Sequence, residues 1–127
     1  MVEIAKADPK KGILQKNISK NQKISNKYLD QIIHSLKDAE LIVNVKGKKS
    51  GYRLTQNASE ITALQIHYAF EREIAIIDCL SQHVDCTLED ICYTNPFWDG
   101  LNNLIIEYFR YATLQDILDK KEFSCRL

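Results

Sequence analysis

The stretch that decides the fold is ISNKYLDQIIHSLKDAELIVNVKGKKSGYRL, residues 24–54. Its first part predicts a helix, because the Ser25 hydroxyl can accept a hydrogen bond from a free amide of the first turn. Behind this cap, apolar residues recur at helical spacing and form one stripe that should face a core. The stripe consists of Tyr28, Leu29, Ile32, Ile33 and Leu36.

A β-hairpin is predicted directly after this helix. The segments LIVNV (41–45) and GYRLT (51–55) are rich in β-branched and aromatic residues, as strands are. The turn between them is flanked by glycines and carries Lys46, Lys48 and Lys49. An isolated cationic turn is usually only a solvated surface, so its meaning depends on the neighbouring elements.

Two short helices are predicted before residue 24, over 2–7 and 14–22, and DPKKG (8–12) separates them. Helix, turn, helix and then a basic hairpin is the order of a winged helix-turn-helix. In that arrangement the third helix can enter a major groove while the hairpin reaches phosphates or the neighbouring minor groove. The fold class that we predict is mainly α with a small β-hairpin wing.

Charge is distributed unevenly along a chain whose net charge is zero. Residues 1–56 hold twelve Lys/Arg and five Asp/Glu, a balance of +7, and residues 57–127 hold five and twelve, a balance of −7. This asymmetry indicates an anionic partner for the first half, and double-stranded DNA fits the predicted fold. We therefore predict a DNA-binding lobe over 1–58 and a second, helical region over 59–127.

The second region is predicted to contain a helix over 61–71, with Ile61, Leu64 and Tyr68 on one side, and a long helix that Asn95 caps and Pro96 opens. Thr113 and Asp116 predict a capping box for a last short helix. The long helix carries an apolar stripe that the rest of a 127-residue chain can hardly cover. We expect it to form a homodimer, through Trp98, Leu101, Leu104, Ile105, Tyr108 and Phe109.

Three of the four cysteines, Cys79, Cys86 and Cys92, lie seven and six residues apart before the long helix, and Cys125 stands apart. Thiolates are the ligands of iron–sulfur clusters, and a loop could gather them around one, with His83 as one candidate for a fourth ligand. A redox sensor that uses only the thiols, and inert buried cysteines, are the alternatives, and the segment could also continue as a helix. Zinc offers no better ligand set.

The composition argues against several other classes of protein. The chain has no apolar run near the roughly 18 residues that span a bilayer and no signal-peptide core, which predicts a cytoplasmic protein. The histidines are scattered and there is no phosphate-binding glycine loop, so an enzyme is not expected. A protein-interaction module that uses the winged scaffold without DNA is the alternative to a DNA-binding regulator.

The sequence resembles the Rrf2 family of bacterial winged-helix transcription regulators. The resemblance lies in residues 24–54, in EITALQI (60–66) and in the Trp98, Leu101, Ile105, Phe109 and TLQDIL (113–118) pattern. It implies dimerisation through the long helix, at about 97–112, and a cytoplasmic regulator of transcription. It also implies operator reading by Ser25, Asn26, Lys27, Tyr28 and Gln31 and by the wing; core packing is the alternative role for Tyr28.

The chain departs from the family pattern at three places. The wing has Lys46-Gly47 where Arg-Gly is common, which favours phosphate contact by Lys46, Lys48, Lys49 and Ser50 over insertion of an arginine. Cluster-binding members similarly have three cysteines, but one branch has a histidine ligand where this chain has Asn95. Members usually have about a dozen residues before the position of Met1, so the first helix is expected to be truncated. The resemblance thus implies a homodimeric repressor whose cysteine loop senses an iron–sulfur, redox or metabolic signal.

Overall fold

The computed structural model describes residues 1–47 and 50–123, so Lys48, Lys49 and Cys125 lie outside the described residues. Six α-helices and one two-stranded sheet are found within these ranges, and two single turns of 3-10 helix, Asp78–Leu80 and Glu89–Ile91, follow the fourth helix. The elements are α1 (Val2–Lys6), α2 (Gln15–Gln22), α3 (Asn26–Asp38), β1 (Ile42–Asn44), β2 (Tyr52–Leu54), α4 (Ala63–Tyr68), α5 (Asn95–Tyr111) and α6 (Leu114–Leu118).

Helices α2 and α3 form the helix-turn-helix that the sequence predicts. Helix α2 ends because Lys23 adopts a left-handed conformation with φ of 53°, which turns the chain sharply. The Ser19 hydroxyl donates to the Ile24 carbonyl over 2.6 Å and closes the turn. Ser25 then caps α3, since its Oγ accepts a hydrogen bond of 3.2 Å from the Tyr28 amide. The predicted cap is therefore confirmed.

The wing is an antiparallel hairpin in which Ile42, Val43 and Asn44 pair with Leu54, Arg53 and Tyr52. Ile13 extends the sheet on the other edge of β2, exchanging hydrogen bonds of 2.8 and 3.0 Å with Tyr52. Gly51 permits this approach, because a Cβ at that position would lie 2.6 Å from the Ile13 amide nitrogen. The predicted mainly helical fold with a hairpin wing is confirmed.

The hydrophobic core lies beneath the helix-turn-helix and the sheet. Residues from both sides of the predicted boundary at 58/59 contribute to this core, since Ile61 and Leu114 are fully buried in one cluster with apolar residues of 1–58. The boundary itself stays a prediction. The buried apolar residues are Ile4, Ile18, Leu29, Ile33, Leu36, Leu41, Ile42, Ile61, Ala112 and Leu114.

Tyr28 does not belong to this core, although the stripe on α3 and one of its two predicted roles placed it there. It is 57% exposed, whereas Leu29, Ile33 and Leu36 on the same helix are buried. The reason is its place at the edge of the stripe in the first turn of α3. Core packing is therefore the wrong interpretation of Tyr28.

Helix α4 is shorter than the helix predicted over 61–71. Thr62 begins it with a capping box, in which the Gln65 amide donates to Thr62 Oγ1 over 3.2 Å and Gln65 Oε1 accepts from the Thr62 amide over 2.8 Å. Ile61 therefore precedes the helix, and its carbonyl accepts from the Leu114 amide over 2.8 Å. Tyr68, predicted on the same apolar side, is 48% exposed.

The last two helices follow the predicted order. Helix α5 begins one residue early, because Thr94 rather than Asn95 is its N-cap, and Pro96 lies in its first turn. The predicted capping box of α6 is confirmed, since the Asp116 amide donates to Thr113 Oγ1 over 3.1 Å and the Asp116 carboxylate accepts from the Thr113 amide over 3.0 Å. Over 1–47 and 50–123, no helix has the length and apolar character needed to cross a membrane.

Candidate nucleic-acid interface and cysteine loop

The first turns of α3 present a polar surface to solvent. The predicted reading residues Ser25, Asn26, Lys27, Tyr28 and Gln31 are all exposed. They share one end of the helix, since Ser25 is the N-cap and Gln31 lies in the second turn. Amide, ammonium and hydroxyl groups of this kind can bond base edges and phosphates.

The tip of the wing begins where β1 ends. The Val45 amide donates to the Gly51 carbonyl over 2.8 Å, one pair beyond Asn44–Tyr52 on the side of the turn. Lys46 is exposed and Ser50 is half-buried. The other two predicted contacts, Lys48 and Lys49, lie outside the described residues.

Gln15, at the start of α2, connects the wing to α3 beside this surface, and sequence reasoning missed it. Its side chain bonds Tyr52 on the wing and both Asn26 and Asp30 on α3. A glutamine at the first position of a short helix is an ordinary feature, so no sequence signal distinguished it.

The cysteine loop, residues 72–94, lies between α4 and α5. Cys79, Cys86 and Cys92 are free, half-buried thiols. Cys79 lies in the first 3-10 turn and Cys92 directly follows the second. The alternative that these cysteines lie on a continuing helix is therefore wrong, because the loop contains only these two single turns of helix.

The described loop does not bring the three thiols together as a ligand set. In the part of the chain that the structure describes, no group of three or more Cys, His, Asp or Glu side chains could hold a metal ion. His83 is exposed. In this arrangement the predicted ligands do not surround one centre, as the several thiolates of an iron–sulfur cluster do.

Glu73 closes the first part of the loop around Cys79. Its carboxylate accepts hydrogen bonds from the Ser81 hydroxyl and, over 3.1 Å, from the Gln82 amide. These two bonds, the Ser81 bond first, lower the pKa of Glu73 because they stabilise the charged form. Sequence reasoning missed Glu73, which is one of many acidic residues in the second half.

Asn102 ties the beginning of the loop to α5. It is 6% exposed, and its amide group donates to the Ile74 carbonyl over 2.8 Å and accepts from the Ile76 amide over 3.1 Å. From α4, the His67 ring lies 3.1 Å, Nε2 to oxygen, from the Glu73 carbonyl. The loop thus begins between the two helices on fixed polar contacts. A buried asparagine looks like a surface residue in the sequence, and sequence reasoning missed it.

Cys92 differs from the other two described cysteines in its hydrogen bonding. Its sulfur lies 3.4 Å from Thr94 Oγ1. This bond, together with the backbone amides of Thr94 and Asn95, lowers the pKa of the Cys92 thiol. A thiol with a lowered pKa ionises more readily, and the thiolate is the nucleophilic form.

The apolar stripe of α5 divides into a packed side and an exposed side. Trp98, Ile105 and Phe109 are half-buried, and the Phe109 ring packs against the His67 ring of α4 at 5.8 Å between centroids. Three other predicted dimer residues are exposed: Leu101 by 37%, Leu104 by 51% and Tyr108 by 39%. We call these three the α5 apolar face. They repeat at i, i+3 and i+7 and so share one side of the helix.

The helix-turn-helix, the paired wing and the exposed first turns of α3 define a winged-helix transcriptional regulator. The family described as "Rrf2: Iron-dependent Transcriptional regulator" matches residues 1–120. The chain belongs to the Rrf2 family, as its sequence predicts, and the members of this family are regulators of transcription rather than enzymes.

Three known proteins are similar to this chain in sequence or in fold. A protein of Neisseria meningitidis serogroup A, classed as an HTH-type transcriptional regulator, is 35% identical over 104 residues, which are 82% of this chain and 70% of that protein. The structure of IscR of T. potens has a TM-score of 0.74 at 25% identity, covering 95% of this chain and 79% of that one. The global cysteine regulator CymR of B. subtilis shares the fold, with a TM-score of 0.74 at 22% identity over 95% and 88% of the two chains.

Proposed function

We propose that this chain is a homodimeric transcriptional repressor that binds operator DNA through α3 and the wing and responds to the state of its cysteine loop. The observation that carries the proposal is the exposed polar end of α3 beside a wing of cationic sequence, in the half of the chain with a charge balance of +7. In this proposal residues 1–58 form the DNA-binding lobe and 59–127 form the dimerisation and sensor region. A protein that binds chromosomal DNA acts in the cytoplasm of a bacterium.

Base reading is assigned to the exposed end of α3. Helices of this class place their first turns in the major groove, where each base pair presents a distinct pattern of donors and acceptors. Gln31 can bond adenine through two atoms, and Lys27 can bond guanine. The residues assigned to this surface are Ser25, Asn26, Lys27, Tyr28 and Gln31.

Phosphate contact is assigned to the wing, through Lys46, Lys48, Lys49 and Ser50. Each phosphate that a lysine neutralises releases condensed counterions, so log affinity falls linearly with log salt concentration, with a slope of about −0.9 per phosphate. Lys46→Ala in both subunits is expected to reduce the slope by about 2 and to weaken binding to all sequences. Fluorescence anisotropy measures this slope, with the affinity determined at salt concentrations from about 50 to about 200 mM.

Lys37→Ala is the matched control, because Lys37 lies in the last turn of α3, at the opposite end from the reading residues. It is expected to leave the slope unchanged. Equal slopes in the wild-type protein and the Lys46→Ala variant would contradict the assignment of phosphate contact to the wing.

The homodimer is assigned to the α5 apolar face. Leu101, Leu104 and Tyr108 form a row on one side of a helix whose other side packs on α4, and exposed apolar rows of this kind mark interfaces between proteins. The other three residues assigned to the interface lie beside this row on the half-buried side of α5, and they are Trp98, Ile105 and Phe109. Two copies joined in this way would present two α3 helices to a palindromic operator.

Leu104→Lys is expected to convert the dimer to a monomer at micromolar concentration, because it would place a charge inside the apolar contact. Asn103→Lys adds the same charge at the neighbouring exposed position and is expected to leave the dimer intact. Sedimentation velocity distinguishes the two states. A monomeric wild-type protein, or a dimeric Leu104→Lys variant, would contradict this interface.

The cysteine loop is assigned as the sensor. Its beginning bonds α5 through Asn102 and reaches α4 through His67, so a change in the loop can alter how α5 packs. We assign the regulatory response to a shift between two dimer arrangements, of which one spaces the α3 helices for the operator. Because the described thiols do not form a metal-binding set, the response is assigned to the chemical state of the thiols.

Two measurements on anaerobically purified protein test the proposal as a whole. DNA binding is measured on a duplex that the protein selects from a random 30-base-pair pool, about three helical turns, which holds two half-sites. A colourless, iron-free protein that binds the selected duplex, and loses it on thiol oxidation, is the expected result. Stoichiometric iron would contradict the thiol assignment, and a stable protein partner without DNA binding at low salt would favour an interaction module.

A further inference from the structure

The Gln15 side chain joins three elements beside the first turns of α3. Its Oε1 accepts a hydrogen bond of 3.3 Å from the Tyr52 hydroxyl on β2. Its Nε2 donates to the Asn26 carbonyl over 3.4 Å and to the Asp30 carboxylate, both on α3. One uncharged side chain therefore contacts the wing and the recognition helix at the same time.

The backbone before Gln15 holds this side chain in place. Ile13 pairs with Tyr52 through two hydrogen bonds, and Gly12, with φ of +64°, lies against the wing so closely that a Cβ would be 2.7 Å from the Tyr52 carbonyl oxygen. The chain leaves this pairing and enters α2 at Gln15. The wing strand and the first turn of α2 are thus joined by backbone, and Gln15 extends the connection to α3.

We propose that Gln15 is a positioning residue that fixes the wing relative to the recognition helix and so sets the sequence specificity of binding. The inference rests on the proposed DNA-binding function. Wing and helix contact different parts of the duplex, and base contacts depend on orientation more strongly than phosphate contacts do. Gln15 carries no charge, so its loss does not remove an electrostatic attraction.

The test compares Gln15→Ala, Tyr52→Phe and the double variant. Tyr52→Phe removes only the hydroxyl that bonds Gln15 and keeps the ring, so it tests the connection even if Gln15→Ala folds poorly. Asn17→Ala is the matched control, since Asn17 is exposed on the same helix. The readout is the ratio of affinities for the selected duplex and for a scrambled duplex of the same composition.

Gln15→Ala is expected to lower this ratio about tenfold, because one well-placed base contact is lost, while affinity for the scrambled duplex and the salt slope stay unchanged. Tyr52→Phe is expected to lower the ratio less. The double variant is expected to equal Gln15→Ala alone, because both changes break the same connection.

An unchanged ratio in Gln15→Ala, an equal loss of affinity for both duplexes, or additive effects in the double variant would overturn the inference. A wild-type protein that binds no duplex at low salt would instead overturn the proposed function, and this inference with it. The two failures are therefore distinguishable by the wild-type measurement.

Discussion

The winged lobe and the cysteine loop are stabilised in different ways. In the lobe, Leu36, Leu41 and Ile42 are at most 3% exposed and belong to one apolar core. In the loop, Leu88, Ile91 and Tyr93 are between 58% and 100% exposed, and a few polar bonds determine the path of the chain. Regions with little apolar burial open at a low free energy. The lobe is therefore suited to present a fixed surface, and the loop is suited to change.

The largest expected effect concerns burial. Leu36→Ala should lower the free energy of unfolding by about 3 kcal/mol, because it leaves a cavity in the core. Leu88→Ala removes the same atoms from a residue that is 58% exposed, and should change stability by less than about 0.5 kcal/mol. Urea unfolding of both variants measures the difference, and similar losses would contradict the contrast between lobe and loop.

The next effect concerns the polar contact between the loop and α5. Asn102→Ala should lower the free energy of local opening at the start of the loop by about 1–3 kcal/mol. The reason is that the Ile74 carbonyl and the Ile76 amide lose their hydrogen-bond partner. Hydrogen exchange at the Ile76 amide measures this opening, and exchange at Leu41 in the lobe should not change. Asn103→Ala, at an exposed position, is the control. Unchanged exchange at Ile76 would show that Asn102 does not hold the loop.

A smaller effect is expected at the two helix N-caps. Ser25→Ala should destabilise the lobe by about 1 kcal/mol, because the Tyr28 amide loses its acceptor. Thr94→Ala, at the N-cap of α5, should have less effect, since Thr94 makes no side-chain cap bond to the described part of α5. Ser25→Asp should restore the cap. Thermal unfolding measures these differences, and equal losses at the two caps would contradict the local geometry.

The smallest effect is a dependence on pH. The Thr113 hydroxyl and amide, together with Lys121, hold the pKa of Asp116 at about 2, below its ordinary value of 3.8. Because the pKa is depressed, the stabilisation that the ionised Asp116 carboxylate contributes is complete above pH 3.8 and is lost as the pH falls through about 2. NMR titration of Asp116 should therefore show protonation near pH 2, and Thr113→Val should raise that midpoint. An unshifted midpoint in the wild-type protein would contradict the capping box.

The same contrast explains which parts of the fold the sequence could predict. Helix α3, its Ser25 cap and the hairpin follow from rules that act over a few residues, and all three are confirmed. Asn102 acts through partners that lie 26 to 28 residues away in the sequence. Gln15 acts through partners that lie 11 to 37 residues away. An isolated polar residue does not reveal such partners in a single sequence.

The spacing of residues along the chain also gave wrong predictions where tertiary packing determines burial and backbone path. The stripe on α3 included Tyr28, and the structure exposes it because it lies at the edge of the stripe, beside the buried Leu29. The alternative of a helix through the cysteines rested on local sequence, and the loop instead follows the bonds of Glu73 and Asn102. The reading residues and the dimer interface stay predictions that the proposed experiments test.

The central claim is that two copies of the chain bind operator DNA together. Sedimentation equilibrium of the protein with a fluorescent duplex that it has selected tests this claim most directly. Two copies of the chain should bind one duplex at low salt, about 50 mM, and should dissociate from it as the salt concentration is raised. A single chain per duplex, or no co-sedimentation at low salt, would contradict the account.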